Sequence, residues 1–128
     1  MSTEKNKALI REYLETMSRY AKDPTTVDRY ISDEDLKNHI EVFETAFPGY
    51  QMILEDMMAE GDKVAVRFKF IGTHKGIFQE FLPTGREVSM KGIIIYEIKN
   101  NKIINHWMGA DTAELISQLH PESNQITT

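Results

Sequence analysis

Residues 59–111 read AEGDKVAVRFKFIGTHKGIFQEFLPTGREVSMKGIIIYEIKNNKIINHWMGAD, and this stretch decides the fold. Apolar side chains recur at every second position in its three long runs, which is the period of a β-strand. In the first run, four such residues share one face: Val64, Val66, Phe68 and Phe70. Asn100-Asn101 separates the last two runs, and asparagine tolerates the positive φ of a tight hairpin. The stretch therefore predicts successive antiparallel strands.

The predicted strands cover residues 63–74, 88–99 and 102–110, with a further candidate at 50–59 and a loop at 76–85. The preceding part of the chain has the period of a helix instead. Residues 4–21 form an amphipathic pattern that Asp23-Pro24 ends, because the residue before a proline avoids helical geometry. A short helix over residues 25–31 and a longer one from a Ser32-x-x-Asp35 capping signal to Pro48 follow.

Helices followed by hairpins indicate an α+β fold, with helices on one face of an antiparallel sheet. A chain of 128 residues is near the commonest size for one domain. We expect a single domain over residues 1–120, ending in a short helix after Asp111, and a polar, frayed tail over residues 121–128.

Charge and composition exclude several classes of partner. The formal charge is −5 and the pI about 5.4, so the surface repels nucleic acid, and no basic run suits an anionic membrane. The chain has no cysteine, which excludes disulfides and thiolate metal sites. No apolar run is long enough to span a bilayer, and the charged N-terminal residues lack a signal core. We therefore expect a cytoplasmic protein.

A series of short motifs carries a family resemblance. In order along the chain they are Gly61-Asp62 before V-x-V-R, Gly72-Thr73-His74-x-Gly76, Pro83-Thr84-Gly85-Arg86, and Lys102-Ile103…His106-Trp107…Asp111. In this order the chain resembles the SnoaL-like polyketide cyclase (ester cyclase) family of the NTF2-like superfamily. The resemblance implies a cone, in which a strongly curved sheet wraps the N-terminal helices around an open-ended pocket. It also implies an apolar small-molecule ligand, no cofactor, and a homodimer formed through the outer face of the sheet.

Asp111 is the main catalytic candidate. By resemblance it matches the aspartate that acts as general acid/base in an intramolecular aldol closure. Such a carboxyl needs a raised pKa, which burial against apolar groups provides, and Trp107 lies on the same side of the strand by parity. Alternatively, Asp111 is only the N-cap of the last helix, with Glu114 completing a capping box.

His106 and His74 are candidate proton donors or oxyanion partners. His106 and Asp111 have opposite strand parity, so they share a pocket only if a bulge lies near Gly109. For His74, whose Gly-Thr-His-x-Gly context is typical of a bend, a structural role is the preferred interpretation. No spacing of histidines and carboxylates predicts a metal site.

Four residues are candidates for the pocket wall: Trp107, Met90, Tyr96 and Tyr13. An aromatic side chain can bind a flat ligand, a phenol can bond to a carbonyl oxygen, and methionine suits an irregular apolar cavity. Each of the four is equally explained as part of the core.

The connection between the second and third predicted helices is shorter than the family pattern. Tyr30-Ile31-Ser32-Asp33 passes almost directly into the next helix, which alters the expected pocket wall and puts a polyketide substrate in doubt. Three functions stay open: a cofactor-independent cyclase using Asp111, a non-catalytic domain that binds a lipid-like or aromatic ligand, and another lyase or isomerase. Fold does not choose among them.

Overall fold

The computed structural model describes residues 2–120 and has four helices and four strands in that range. In chain order the elements are α1 (Thr3–Arg19), α2 (Pro24–Tyr30), α3 (Glu34–Ala46), β1 (Gln51–Glu60), β2 (Lys63–Thr73), β3 (Glu87–Lys99), β4 (Lys102–Ala110) and α4 (Thr112–Leu119). The α+β prediction is confirmed. The tail predicted for residues 121–128 lies outside the described residues.

The helix boundaries follow from side-chain caps. Ser2 caps α1, and Asp23 caps α2 with Pro24 in its first turn, so Asp23-Pro24 begins a helix rather than ending α1, which stops at Arg19. The Ser32 capping prediction is also wrong by one residue. Asp33 caps α3, because its Oδ1 accepts hydrogen bonds from the backbone N–H groups of Asp35 and Leu36.

The sheet is antiparallel, with its strands in the order β1-β2-β3-β4. Asn100 and Asn101 have φ values of 54° and 62°, as predicted for the β3–β4 hairpin. The register shifts once between Leu54 and Asp56 and once beside Glu97 and Ile98. The second shift is a bulge in β4, beyond which the Ile103 side chain is fully buried.

The core lies between the helices and the inner face of the sheet. The four alternating residues of β2 predicted to share a face are all buried, and five residues of β3 face the same side: Val88, Met90, Ile94, Tyr96 and Ile98. Helix α1 packs against β1 and β2, and α4 packs against β3. The connection between α2 and α3 is only residues 31–33, as the sequence indicated.

The outer face of the sheet keeps large apolar side chains exposed. Ile93 is 52% exposed and Trp107 is 46% exposed, and Ile53 on β1 is exposed as well. Arg67 lies among them on β2 and forms an ion pair with Glu55 at 2.9 Å. The sheet therefore has an apolar inner face and a mixed, partly apolar outer face.

Candidate active site

A cavity of about 40 Å³ lies inside the cone, between α1, α3 and the inner face of the sheet. Three of the predicted wall residues line it: Tyr13, Met90 and Tyr96. Most of the other lining side chains are apolar, among them Phe43, Phe68, Phe70, Met52 and Met108. The cavity is therefore apolar, with a few polar groups in fixed positions.

Tyr13 and Tyr96 lie side by side in the cavity wall. Their ring centroids are 5.7 Å apart and the rings meet edge to face. Burial raises the pKa of both phenols. Both groups therefore stay protonated at neutral pH, and a phenol in the wall can donate a hydrogen bond to the oxygen of a ligand.

His39 is a cavity residue that the sequence interpretation missed. Its ring lies 4.5 Å from the Phe43 ring, and it lines the cavity from α3. Burial lowers the pKa of His39, and the nearby His106 lowers it further. The imidazole is therefore neutral at pH 7 and can accept a proton. His39 lies three residues after Leu36 and four before Phe43, which puts it on the apolar face of α3. This spacing was the feature of the sequence that could have predicted its place in the cavity wall.

His106 lies near His39, and a carboxylate holds its ring. Its Nδ1 is 2.6 Å from Asp33 Oδ2, and both side chains are mostly buried. The ring faces the inner side of β4, as does Met108 two residues later, which lines the cavity. A carboxylate at Nδ1 fixes the ring orientation and favours a proton on that nitrogen. Asp33 was not among the predicted site residues.

Asp111 lies outside the cone, which corrects the expected position of its carboxyl. It is exposed, caps α4, and accepts a hydrogen bond from the Glu114 N–H at 3.0 Å. The capping box is not completed, because the Glu114 carboxylate accepts from Lys91 instead. The β3–β4 register is unbroken near Gly109. His106 and Met108 face inward. Asp111 has the opposite parity along the strand, so it faces outward.

Trp107 shares the outward parity of Asp111 and does not line the cavity. The sequence correctly put the two residues on one side of the strand, but that side is the outer one. The expected place of Trp107 in the pocket wall is corrected for the same reason.

His74 is fully buried at the end of β2 and is separate from the cavity wall. Its Nδ1 accepts a hydrogen bond from the Thr84 N–H at 3.1 Å and lies 3.0 Å from the Thr84 hydroxyl. Within residues 2–120, Nε2 has no hydrogen-bond partner. Burial lowers the pKa of His74. These contacts join the end of β2 to the 74–86 loop.

Over residues 2–120, no three histidine, aspartate or glutamate side chains are grouped so that they could hold a metal ion. In the same range, no helix has both the length and the apolar character needed to cross a membrane.

This chain is similar to known proteins in both sequence and structure. The family model described as SnoaL-like polyketide cyclase matches residues 3–119. A comparison with curated proteins found no match. Solved structures similar to the chain include AclR from Streptomyces galilaeus, assigned provisionally as a hydroxylase, at 26% identity and a TM-score of 0.81, covering 98% of this chain and 88% of AclR.

Two other similar structures carry provisional assignments as polyketide cyclases. One, from Acidithiobacillus ferrooxidans, has 22% identity and a TM-score of 0.78, and the match covers 93% of this chain and 97% of that one. The other, IdmH from Streptomyces antibioticus, has 21% identity and a TM-score of 0.73, with 89% and 97% covered. At these identities the structures establish the NTF2-like fold. The family match spans nearly all of the described residues, and the chain belongs to the SnoaL-like polyketide cyclase family.

Proposed function

We propose that this protein is a cofactor-independent acid–base enzyme of the cyclase or isomerase type, which acts on a small apolar carbonyl compound inside the cone. The observation that carries the proposal is the position of His39. A neutral imidazole lines a largely apolar cavity whose wall also holds a protonated phenol, Tyr13. A base and a hydrogen-bond donor in one dry site are the two groups that enolisation needs.

In the proposed reaction, His39 takes a proton from the carbon beside a carbonyl, and the Tyr13 hydroxyl hydrogen-bonds to the oxygen as negative charge develops there. The enolate carbon then attacks a second carbonyl of the same molecule and forms a carbon–carbon bond. The proton on His39 goes to the new alkoxide, so no proton is gained or lost overall. His106, fixed by Asp33, lies close enough to lower the pKa of His39 and helps to keep the base neutral.

The size of the cavity favours a small substrate. A volume of about 40 Å³ has room for roughly three water molecules, since each needs about 10–15 Å³ on this measure. A compound with several fused rings requires the walls to move apart.

The test is exchange of solvent deuterium into an enolisable aromatic β-keto ester, followed by NMR. His39→Gln should abolish exchange above the uncatalysed rate, whereas Asp111→Asn should retain it. Asparagine caps a helix about as well as aspartate, so Asp111→Asn isolates the chemistry of the carboxyl. The opposite pattern, with exchange lost in Asp111→Asn and kept in His39→Gln, would return the acid/base role to Asp111.

A second candidate function is a non-catalytic domain that binds an apolar ligand. The exposed position of Asp111, the residue that the family resemblance assigns to catalysis, favours it. If wild type exchanges no deuterium but an aromatic or lipid-like ligand raises its melting temperature, the binding function is supported. Loss of that shift in a variant with a filled cavity, such as Met90→Trp, would locate the ligand in the cone.

The proposal also includes a homodimer and a cytoplasmic location. A homodimer through the outer sheet face would cover the exposed Ile53, Ile93 and Trp107, which a monomer leaves in water. The absence of cysteine and the acidic charge support a cytoplasmic location and argue against a nucleic-acid partner.

A further inference from the structure

Lys22 lies between the cone cavity and the surface. It follows α1 in the short connection to α2, and its side chain is only 1% exposed. It lines the cavity and also a cleft of about 260 Å³ between α2 and α3. Ile40 is the other residue that lines both spaces. A charged side chain is seldom buried so completely unless it is paired or has a chemical role.

The Lys22 ammonium group has three neighbours. Nζ donates a hydrogen bond to the Tyr50 carbonyl oxygen at 2.9 Å and lies 4.2 Å from the centroid of the Tyr50 ring. Glu44 Oε1 is 3.1 Å from Nζ. That oxygen is buried and has no other hydrogen-bond partner in residues 2–120, whereas Glu44 Oε2 accepts from the Gly49 N–H.

The Lys22 amine lies between an apolar space and a carboxylate that water can reach. Burial lowers the pKa of Lys22, and the hydrogen bond and charge of Glu44 oppose the shift. The Glu44 side chain is 32% exposed, so water in the cleft reaches the carboxylate while the amine adjoins the apolar cavity.

We propose that Lys22 forms a Schiff base with a small apolar aldehyde or ketone held in the cavity, with Glu44 as the proton acceptor and donor. The class of ligand follows from the proposed function, but the covalent step does not need enolisation by His39. Lysines that become neutral when buried are suited to this role.

Glu44 accepts a proton from the Lys22 ammonium group, and the free amine attacks the carbonyl carbon, so that a carbon–nitrogen bond forms and the C=O π bond breaks. The attacking nitrogen then loses a proton to the former carbonyl oxygen, which becomes a hydroxyl. Glu44 returns a proton to that hydroxyl, which leaves as water, and a protonated imine remains opposite the Glu44 carboxylate. One carbonyl compound is consumed and one water is released, without an oxidant or a reductant.

Trapping with benzaldehyde and sodium cyanoborohydride at neutral pH tests the proposal on the intact protein. Reduction of the imine leaves a benzyl group on the reacting lysine, which peptide mapping by mass spectrometry locates. Lys37 is the matched internal control, because it lines the same cleft and pairs with a carboxylate, Asp28. Its pKa is raised, with the Asp28 hydrogen bond as the main cause.

The expected result is benzylation concentrated at Lys22, with little at Lys37, because Lys22 lines the cavity that holds the aldehyde and Lys37 lines only the cleft. Lys22→Arg should lose the adduct, and Lys37→Arg should keep it. Equal labelling of Lys22 and Lys37, or labelling confined to exposed lysines, would mean that Lys22 is a structural ion pair only. Site mapping on wild type decides this even if Lys22→Arg does not fold. An adduct at Lys22 that still forms in His39→Gln would separate this outcome from that of the His39 mechanism.

Discussion

His106 Nδ1 and Asp33 Oδ2 are 2.6 Å apart, although 73 residues separate them in the chain. The contact joins β4 to the N-cap of α3, where the other oxygen of the same carboxylate caps the helix. One aspartate therefore fixes both the start of α3, which carries His39, and the orientation of a second imidazole beside it. The residue that caps α3, Asp33, is therefore also part of the candidate site.

Asp33→Asn should lower the unfolding free energy by about 1 kcal/mol, because a hydrogen bond to a charged group is roughly twice as strong as a neutral one. The cap itself should survive, since asparagine replaces aspartate well at that position. Asp23→Asn is the matched control, as Asp23 caps α2 but holds no imidazole. Urea unfolding of both variants is the measurement. Equal losses in the two would show that the His106 contact adds nothing.

Asp111→Ala should destabilise the protein by about 1 kcal/mol through the lost cap of α4, and Asp111→Asn should be close to wild type. The reason is that the carboxylate accepts the Glu114 N–H and makes no contact inside the cone. Thermal melts measure the difference. A larger loss in Asp111→Asn than in Asp111→Ala would contradict a capping role.

Stability should fall as the pH drops below about 6.5, the ordinary pKa of histidine. The pKa values of His39 and His74 are lowered in the folded protein, mainly by burial. The unfolded chain therefore binds protons first as the pH falls, so stability is complete above 6.5 and is lost towards the lower folded values.

Denaturant unfolding should give a lower free energy of unfolding at about pH 5.5 than at about pH 7.5. His39→Gln should make this difference smaller, because the unfolded variant no longer gains a proton at residue 39. A His39→Gln variant with the full wild-type pH dependence would mean that His39 is not buried in a neutral form.

Gly92→Ala should destabilise the protein by about 1–3 kcal/mol, the usual range for added volume in a packed region. A Cβ atom there would lie 2.7 Å from the end of the Phe68 ring and 2.9 Å from the Gly109 carbonyl oxygen. Gly109→Ala is the control, because a Cβ at that neighbouring position meets no atom within 4 Å. Similar melting temperatures for the two variants would refute the close approach.

Ile93→Lys should convert the proposed dimer to a monomer, since it places a charge in the middle of the outer face. Val42→Lys is the control: Val42 lies on α3 and is 54% exposed, close to the 52% of Ile93. Sedimentation equilibrium at micromolar concentration measures both. A wild-type protein that is already monomeric under these conditions would exclude the dimer.

Much of the fold could be predicted from the sequence because strand period and turn chemistry are local. Strand β4 was predicted at residues 102–110, as found, and the hairpin at Asn100-Asn101 was confirmed. The helix starts were less accurate, because Ser32 and Asp33 are both good caps and the pattern alone does not choose between them. The backbone N–H of Ser32 instead bonds to the Ile103 carbonyl oxygen, a contact with a distant strand.

The sequence by itself determined the order of helices and strands, the alternation along each strand and the shared side of Trp107 and Asp111. Only the tertiary structure decided which side of β4 faces the cavity, because alternation is the same for either choice and a bulge can exchange the two. It also decided that His39, His106 and Asp33 meet and that Lys22 is buried beside Glu44. Those contacts join residues from different elements, and their distances depend on how the curved sheet closes over the helices.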